Sequence, residues 1–441
     1  MSSSISFIIG NTYAKRCESR AELDKTGRHR KIHDWRLYVD ILAGDPDLIS
    51  KVQFDLGSTF DPSKFTRHCP IKATSGNNRW RFNTRQQSYG PVTAKITIIG
   101  RGGTVLHRDF RVELSPGGKE NGPEIFAERR PLKPFGPVAM ADVEFGIELE
   151  LSTSSYVSAA DVTNSIQSNA SVAVEDMTDD YSGARARNDI WVLMTDGSIQ
   201  CSIARPDCNR FELVSPILRG GRGLQIVDQV VRALGEIPSI KVNQTMGFHV
   251  HVNVSRLSVP EQIKVCQNFI KYEKAMDSFM PPSRRDGNQY CQSNRLAVAY
   301  APGSSNKEVH ERIASCQSVQ ALGNLMSPDK FRKLNMHPLT SGRQPTIEFR
   351  QHSATYNKAK VKNWIRFCVA FVHNSARLKA PSYLSSTVDN DEMFELLMMH
   401  VVKDRFLRDF YRQRRIEVAD QSSCCDGCAS GSGCEVSTLK R

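Results

Sequence analysis

Three short segments of this 441-residue chain carry polar functional groups two residues apart: Gly146-Ile-Glu148-Leu-Glu150, Gly247-Phe-His249-Val-His251-Val-Asn253 and Thr346-Ile-Glu348-Phe-Arg350-Gln-His352. In a β-strand, residues i and i+2 point to the same face, so each pair shares a face while its apolar neighbours fill the other. One such pair is ordinary for a half-buried strand. Three together are poor choices for a sheet face unless something between them neutralises the carboxylates. Oxygen-rich ligands with a few imidazoles suit magnesium or manganese. A guanidinium such as Arg350 suits a phosphate oxygen.

Two further segments join this set. Trp191-Val-Leu-Met-Thr-Asp196-Gly-Ser198 ends a strand in a turn, and Asp196 reads equally as a simple Asp-Gly turn residue. Arg210-Phe-Glu212-Leu-Val-Ser215-Pro places Glu212 between apolar neighbours, where a carboxylate needs a partner. The run Ser283-Arg284-Arg285-Asp-Gly-Asn288-Gln-Tyr290-Cys291 reads as a substrate or phosphate loop, or as a helix terminus with exposed basic residues. Cys291 is a conceivable thioester nucleophile, but a structural thiol is the simpler reading, since only the two arginines stand by to lower its pKa. A zinc hydrolase using His249, His251 and Glu212 is the competing enzyme reading. It leaves Glu148, Glu150, Glu348 and Arg350 without a task. A catalytically inactive binding module is the third. Gly-rich phosphate-loop and kinase motifs are absent.

The elements that must position these residues follow from periodicity. Strands are predicted at Val143–Leu151, Ile190–Met194, Arg210–Val214, Phe248–Val254 and Thr346–Gln351. Helices are predicted at Leu224–Ile237, from a cap at Ser258 to about Met280, at Lys358–Leu378, and as one long helix over Asp391–Glu417. Interleaved strands, helices and variable loops fit an α+β domain over 142–418. Upstream, Trp35–Leu42, Val92–Ile99 and Val105–Leu114 alternate, with turn residues between them, which predicts a β-sandwich over 1–114. Residues 115–141 have a Pro/Gly linker composition. Residues 419–441, rich in Cys, Gly and Ser, are expected to be a flexible tail whose Cys425-Asp-Gly-Cys428 lacks the partners of a zinc site.

With 39% apolar and 24% charged residues the composition is that of a globular protein. No apolar run approaches the roughly 20 residues that span a bilayer. The start has no basic n-region, and an intracellular protein, cytoplasmic or nuclear, is expected. A net charge of +12, from 59 basic and 47 acidic residues, permits attraction to phosphates, yet the basic residues are scattered and nucleic acid is not the expected partner. The eight cysteines of the folded part are expected to remain thiols.

In order, Gly-x-Glu-x-Glu, Asp-Gly-Ser, Glu-x-x-Ser-Pro, Gly-x-His-x-His-x-Asn, Ser-Arg-Arg-x-x-Asn-x-Tyr-Cys and Thr-x-Glu-x-Arg resemble the putative amidoligase family, itself similar to glutamine synthetase and glutamate–cysteine ligase. The resemblance covers about 143–378. It implies a glutamine-synthetase-like antiparallel sheet with helices and ATP-dependent joining of a carboxylate to an amine through an acyl phosphate. Carried over by position, Glu148, Glu150, Glu212, His249 and Glu348 would hold magnesium or manganese. His251, Arg284, Ser198 and Arg350 would face ATP, while Arg350, Arg285 and Asp196 would serve catalysis. The N-terminal segments Lys51–Pro62, Gln87–Pro91 and Gly102–Leu106 resemble the YEATS domain, an immunoglobulin-like sandwich whose eukaryotic members bind acylated lysine. That resemblance implies a recognition module with Ser58, Phe60 and Tyr89 at its ligand site. Gly57 and Tyr89-Gly-Pro-Val depart from the usual motifs.

Overall fold

A computed structural model describes residues 4–17, 21–23, 27–60, 62–67, 70–72, 79–100, 103–127, 143–179, 189–202, 206–285, 288–299, 301, 303–378 and 389–425. The chain divides into two compact units, one of residues 1–135 with 387–396 and one of 136–386 with 397–441.

Alternation makes the first unit. Its strands are β1 (Ser4–Lys15), β2 (His33–Ala43), β3 (Ile49–Asp55), β4 (Lys64–Arg67), β5 (Ile71–Lys72), β6 (Trp80–Ser88), β7 (Thr93–Gly100), β8 (Val105–Arg111), β9 (Lys119–Glu120) and β10 (Glu124–Ala127). One sheet runs β10-β1-β2-β6-β5, with β9 also on β1, and the other runs β4-β3-β7-β8. Inward residues of both sheets form one core, with Phe7, Trp35, Leu37, Val39 and Phe82 from the first and Val52, Phe54, Ile96, Ile98 and Phe110 from the second. This is an all-β unit of two packed sheets. The expected linker at 115–141 is corrected in its first half. Phe126 is buried in that core, and Glu124–Ala127 pair with Ser4–Phe7, so an edge is filled where composition reads as a connector. Residues 128–142 lie outside the described part.

The second unit is built on a sheet in the order β12-β13-β14-β11-β16-β18-β17, with β15 also on β11. The strands are β11 (Glu144–Ser154), β12 (Val174–Asp176), β13 (Trp191–Thr195), β14 (Cys208–Val214), β15 (Leu218–Arg219), β16 (Gly247–Asn253), β17 (Leu334–Asn335) and β18 (Thr346–Ser353). All pairs are antiparallel except β12 with β13. The helices are α1 (Ala159–Ala170), α2 (Gly220–Gly235), α3 (Val259–Asp277), α4 (Asn294–Val298), α5 (Asn306–Ala314), α6 (Val319–Met326), α7 (His337–Thr340) and α8 (Lys358–Arg377). Ser258 caps α3, as the sequence predicts, and does so in a reciprocal box with Glu261. Phe349 of β18 meets Phe269 of α3 and Trp364 and Phe371 of α8 edge-on, so the apolar face of the sheet is closed by aromatic helices.

The long terminal helix expected over Asp391–Glu417 is broken. It consists of α9 (Asn390–Leu396), which belongs to the first unit, a π-helical turn at Leu397–Val402, and α10 (Arg405–Cys425). Lys403 takes φ +58, and Asp404 then caps α10 by accepting from the Phe406 and Leu407 amides at 2.9 and 3.2 Å. Asp404 also pairs with Arg366 of α8 at 2.5 Å, so the new helix start is anchored by a buried carboxylate. Residues 426–441, with Cys428 and Cys434 of the expected tail, lie outside the described part. No helix among the described residues is long and apolar enough to cross a membrane.

Candidate functional site

Register assembles the site. Phe145, Ile147, Leu149 and Leu151 of β11 are buried on one face, which leaves Glu148 and Glu150 on the other. Across the sheet, Glu150 stands opposite Glu212, Glu148 opposite His249, His251 opposite Glu348, and Glu348 opposite Asn335. Five strands therefore place their polar residues on one face, in a row set by antiparallel pairing.

The groups are in contact. His249 Nδ1 lies 3.1 Å from Glu148 Oε2 and 3.4 Å from Glu348 Oε1, and His249 Nε2 lies 3.6 Å from Glu150 Oε1. His251 Nε2 sits 3.1 Å from Glu148 Oε1, an ion-pair distance without a directed hydrogen bond, and its Nδ1 lies 3.2 Å from Thr346 Oγ1. Arg350 Nη1 donates to Glu348 Oε1 at 2.5 Å, and Asn335 Nδ2 donates to Glu348 Oε2 at 2.6 Å. The Gly247 amide donates to Glu150 Oε2 at 2.7 Å.

These contacts set the charges. Burial acts against the Glu148 carboxylate, but His251 and His249 outweigh it and hold its pKa well below the usual range. Glu212 goes the other way: burial and the charges of Glu148, Glu150 and Asp196 push it well up. Burial opposes the His251 cation, and Glu148 nevertheless raises its pKa. Burial likewise opposes Arg350, and Glu348 and Glu148 keep it charged.

Three overlapping groups offer ligand atoms within 4.8 Å of one another: Glu148, Glu212 and His249; Glu148, His251 and Glu348; and Glu150, Asp196 and Glu212. Crowded, mutually repelling carboxylates with two imidazoles fit a hard divalent cation such as magnesium or manganese. Asp196 is at once a ligand candidate and a turn residue, since its Oδ1 accepts the Ser198 amide at 2.7 Å. Ser198 itself is exposed.

The Ser-Arg-Arg run divides. Arg284 is buried, whereas Arg285 turns back and donates from Nε to the Met280 carbonyl at 2.9 Å. Cys291 is buried, and burial pushes its thiol up to about 11, which suits a structural role better than a nucleophile. The expectation that the cysteines stay thiols is corrected at one place: Cys201 and Cys208 form a disulfide beside the Asp196 turn. His352, which simple alternation puts with Glu348 and Arg350, is corrected too. The β16–β18 register shifts between Phe248 and Val250, so His352 lies opposite Phe248 and packs against Trp364 among the helices.

Sequence reading missed Asn335, because a two-residue strand has no periodicity to detect. It also missed Lys333, which is buried with Nζ 2.7 Å from Asp277 Oδ1 and 3.2 Å from Glu273 Oε1. Its carbonyl accepts the Arg350 amide at 2.9 Å, so this ion pair lies beside the strand that carries Glu348 and Arg350.

In the first unit, Phe60 and Tyr89 line one cavity of about 770 Å³ with Thr59, Ser88, Arg16, Lys31 and Asp34. Phe60 meets Trp35 edge-on and Tyr89 stacks on His29 at 5.0 Å. Ser58 is exposed beside the lining residues Thr59 and Phe60.

A largely antiparallel sheet thus presents carboxylates, imidazoles and a guanidinium on one face, with helices on the other. Residues 141–372, more than half of the chain, match the family described as "Putative amidoligase enzyme", and the chain belongs to that family. No curated protein matches it. Among solved structures it is similar to the Yaf9 YEATS domain recognizing an H3K122suc peptide, at 21% identity over 29% of this chain and 87% of that chain, TM-score 0.23. It is also similar to the yeast AF-9 homolog protein Yaf9, at 22% identity over 29% of this chain and 81% of that chain, TM-score 0.21.

Proposed function

We propose that the second unit is an ATP- and divalent-cation-dependent carboxylate–amine ligase. The observation that carries this reading is the set of three overlapping ligand groups, sharing Glu148 and Glu212, beside the guanidinium of Arg350. Glu148, Glu150, Glu212, His249 and Glu348, with His251 and Asp196 at the margins, would hold magnesium or manganese. Such cations, when bound, offset the charge of ATP phosphates. Arg350, fixed by Glu348, offers a second N–H face to an oxygen of the transferred phosphoryl group.

A carboxylate oxygen of the acid attacks the γ-phosphorus, the bond to the β–γ bridging oxygen breaks, and ADP leaves. The amine nitrogen then attacks the acyl carbon of the acyl phosphate. Phosphate departs with the bonding electrons, the amine loses a proton, and an amide remains. The sheet itself orients the partners and excludes water from one side. In the first unit, the aromatic cavity at Phe60 and Tyr89 serves substrate or partner recruitment, with an acylated-lysine peptide as the ligand to test.

The full chain, incubated with ATP, magnesium and a panel of acids and amines, should yield ADP and a condensed product by mass spectrometry. Nucleotide binding that requires zinc and ignores magnesium and manganese, measured by calorimetry with a non-hydrolysable ATP analogue, overturns the ligase reading and favours the hydrolase one.

A further inference from the structure

Two guanidinium groups approach the cluster, and they are not equivalent. Arg350 has a carboxylate partner in Glu348 at 2.5 Å. Arg284 is only 2% exposed, and among the described residues it has no carboxylate within ion-pair distance. Its Nη2 reaches the His352 carbonyl at 3.2 Å, while its buried Nε has no acceptor. A guanidinium carries five N–H donors and stays charged, so burying one without a counter-charge is costly.

Its place is made by a missing side chain. A Cβ on Gly247 would lie 2.3 Å from Arg284 Nη2 and 2.5 Å from His249 Nε2. Real side chains do not tolerate such distances, so any residue but glycine at 247 displaces the guanidinium, the imidazole or both. The Gly247 backbone is itself pinned, because its amide donates to Glu150 Oε2. Glu150, held by that bond, attracts the Arg284 guanidinium without reaching ion-pair distance.

We infer that Arg284, lying over the bare Cα of Gly247, forms an oxyanion subsite at the edge of the carboxylate cluster, separate from Arg350. The incoming anion supplies a counter-charge that, among the described residues, no carboxylate provides at ion-pair distance. This rests on the ligase reading for its chemistry, in which a carboxylate and a phosphoryl oxygen are the two oxyanions the site must hold. Both are planar or tetrahedral acceptors that a guanidinium fork can grip through two N–H bonds.

The test is calorimetry on the full chain with manganese present, titrating inorganic phosphate in one arm and acetate in the other. Arg284→Gln should weaken the bound anion by about tenfold or more, with an unchanged melting temperature. Arg284→Lys should recover part of the loss, keeping the charge without the fork. Gly247→Ala, which retains every donor, should weaken the same anion. Arg232→Gln, an exposed pair with Asp228 on α2, should change nothing. Loss in the phosphate arm assigns the subsite to the phosphoryl group, and loss in the acetate arm assigns it to the acid. An Arg284→Gln protein that folds and binds both anions within twofold of wild type overturns the inference, as does a wild type that binds neither. Manganese affinity is read separately: a wild type that takes up no manganese sinks the ligase reading, while intact manganese uptake with unchanged anion binding in Arg284→Gln sinks only the subsite.

Discussion

Lys333→Met isolates what supports Arg350. The Lys333 side chain has 0% exposure and its Nζ lies 2.7 Å from Asp277 Oδ1, 2.9 Å from Asp277 Oδ2 and 3.2 Å from Glu273 Oε1. Asp277 also accepts from Gln351, the residue after Arg350. Methionine fills similar volume without charge, so the variant leaves two carboxylates, 4% and 13% exposed, facing each other. Removing one partner of a buried ion pair costs about 3–5 kcal/mol. For a unit of this size that corresponds to a fall in melting temperature of roughly 6–20 °C. Scanning calorimetry should place the loss in one transition. The triple change Lys333→Met, Asp277→Asn, Glu273→Gln removes the repulsion and should recover more than half of it. A Lys333→Met protein within about 1 kcal/mol of wild type would show that these carboxylates find solvent or another cation, and the claim that the pair braces Arg350 would fall.

Arg350→Lys should keep its melting temperature within a few degrees while ATP-dependent product formation falls about 10²-fold, the typical loss of one donor aimed at developing charge. Normal turnover in a folded Arg350→Lys protein removes this residue from the site. His352 is held neutral by burial, with its pKa lowered to about 3. Because the folded value lies below the unfolded one, the unfolded chain binds more protons between them, so stability present above about pH 6.5 is lost as pH falls towards 3, at up to about 1.4 kcal/mol per pH unit. His352→Phe should flatten that part of a stability–pH curve, and an unchanged slope refutes the assignment. Cys201→Ser with Cys208→Ser opens a cross-link between residues 7 apart and should cost about 2 kcal/mol in denaturant melts against oxidised wild type, with no difference from reduced wild type.

Most of the site was legible because strand alternation is strict and the chemistry repeats it. Glu148 with Glu150, His249 with His251, and Glu348 with Arg350 share a face wherever those segments are strands, and they are strands. Adding Glu212 needed only the argument that a carboxylate between Phe211 and Leu213 must have company. Pairing partners were not legible. Nothing local says that Glu148 faces His249 rather than Glu212, since register is decided by the whole sheet. Asn335 sits in β17, too short to announce itself, and Lys333 lies just before that strand. The break at Lys403 was hidden because Asp404 caps a helix start inside a run of good helix formers. In the first unit, Phe126 escaped because four residues of edge strand are embedded in Pro- and Gly-rich chain.

The register step in β18 makes that strand a phase shifter. Before the step, even-numbered side chains belong to the polar face. After it, an even-numbered histidine belongs to the aromatic layer. One extra residue lets a single strand serve water-loving chemistry at one end and a dry interior at the other, without a turn between them. Deleting one residue from 349–351 would remove the step yet leave the imidazole on the Trp364 side, whereas keeping the length and losing the step would carry it towards the carboxylates. The step therefore uncouples the two ends of the strand, and one unpaired residue absorbs the change of phase between them.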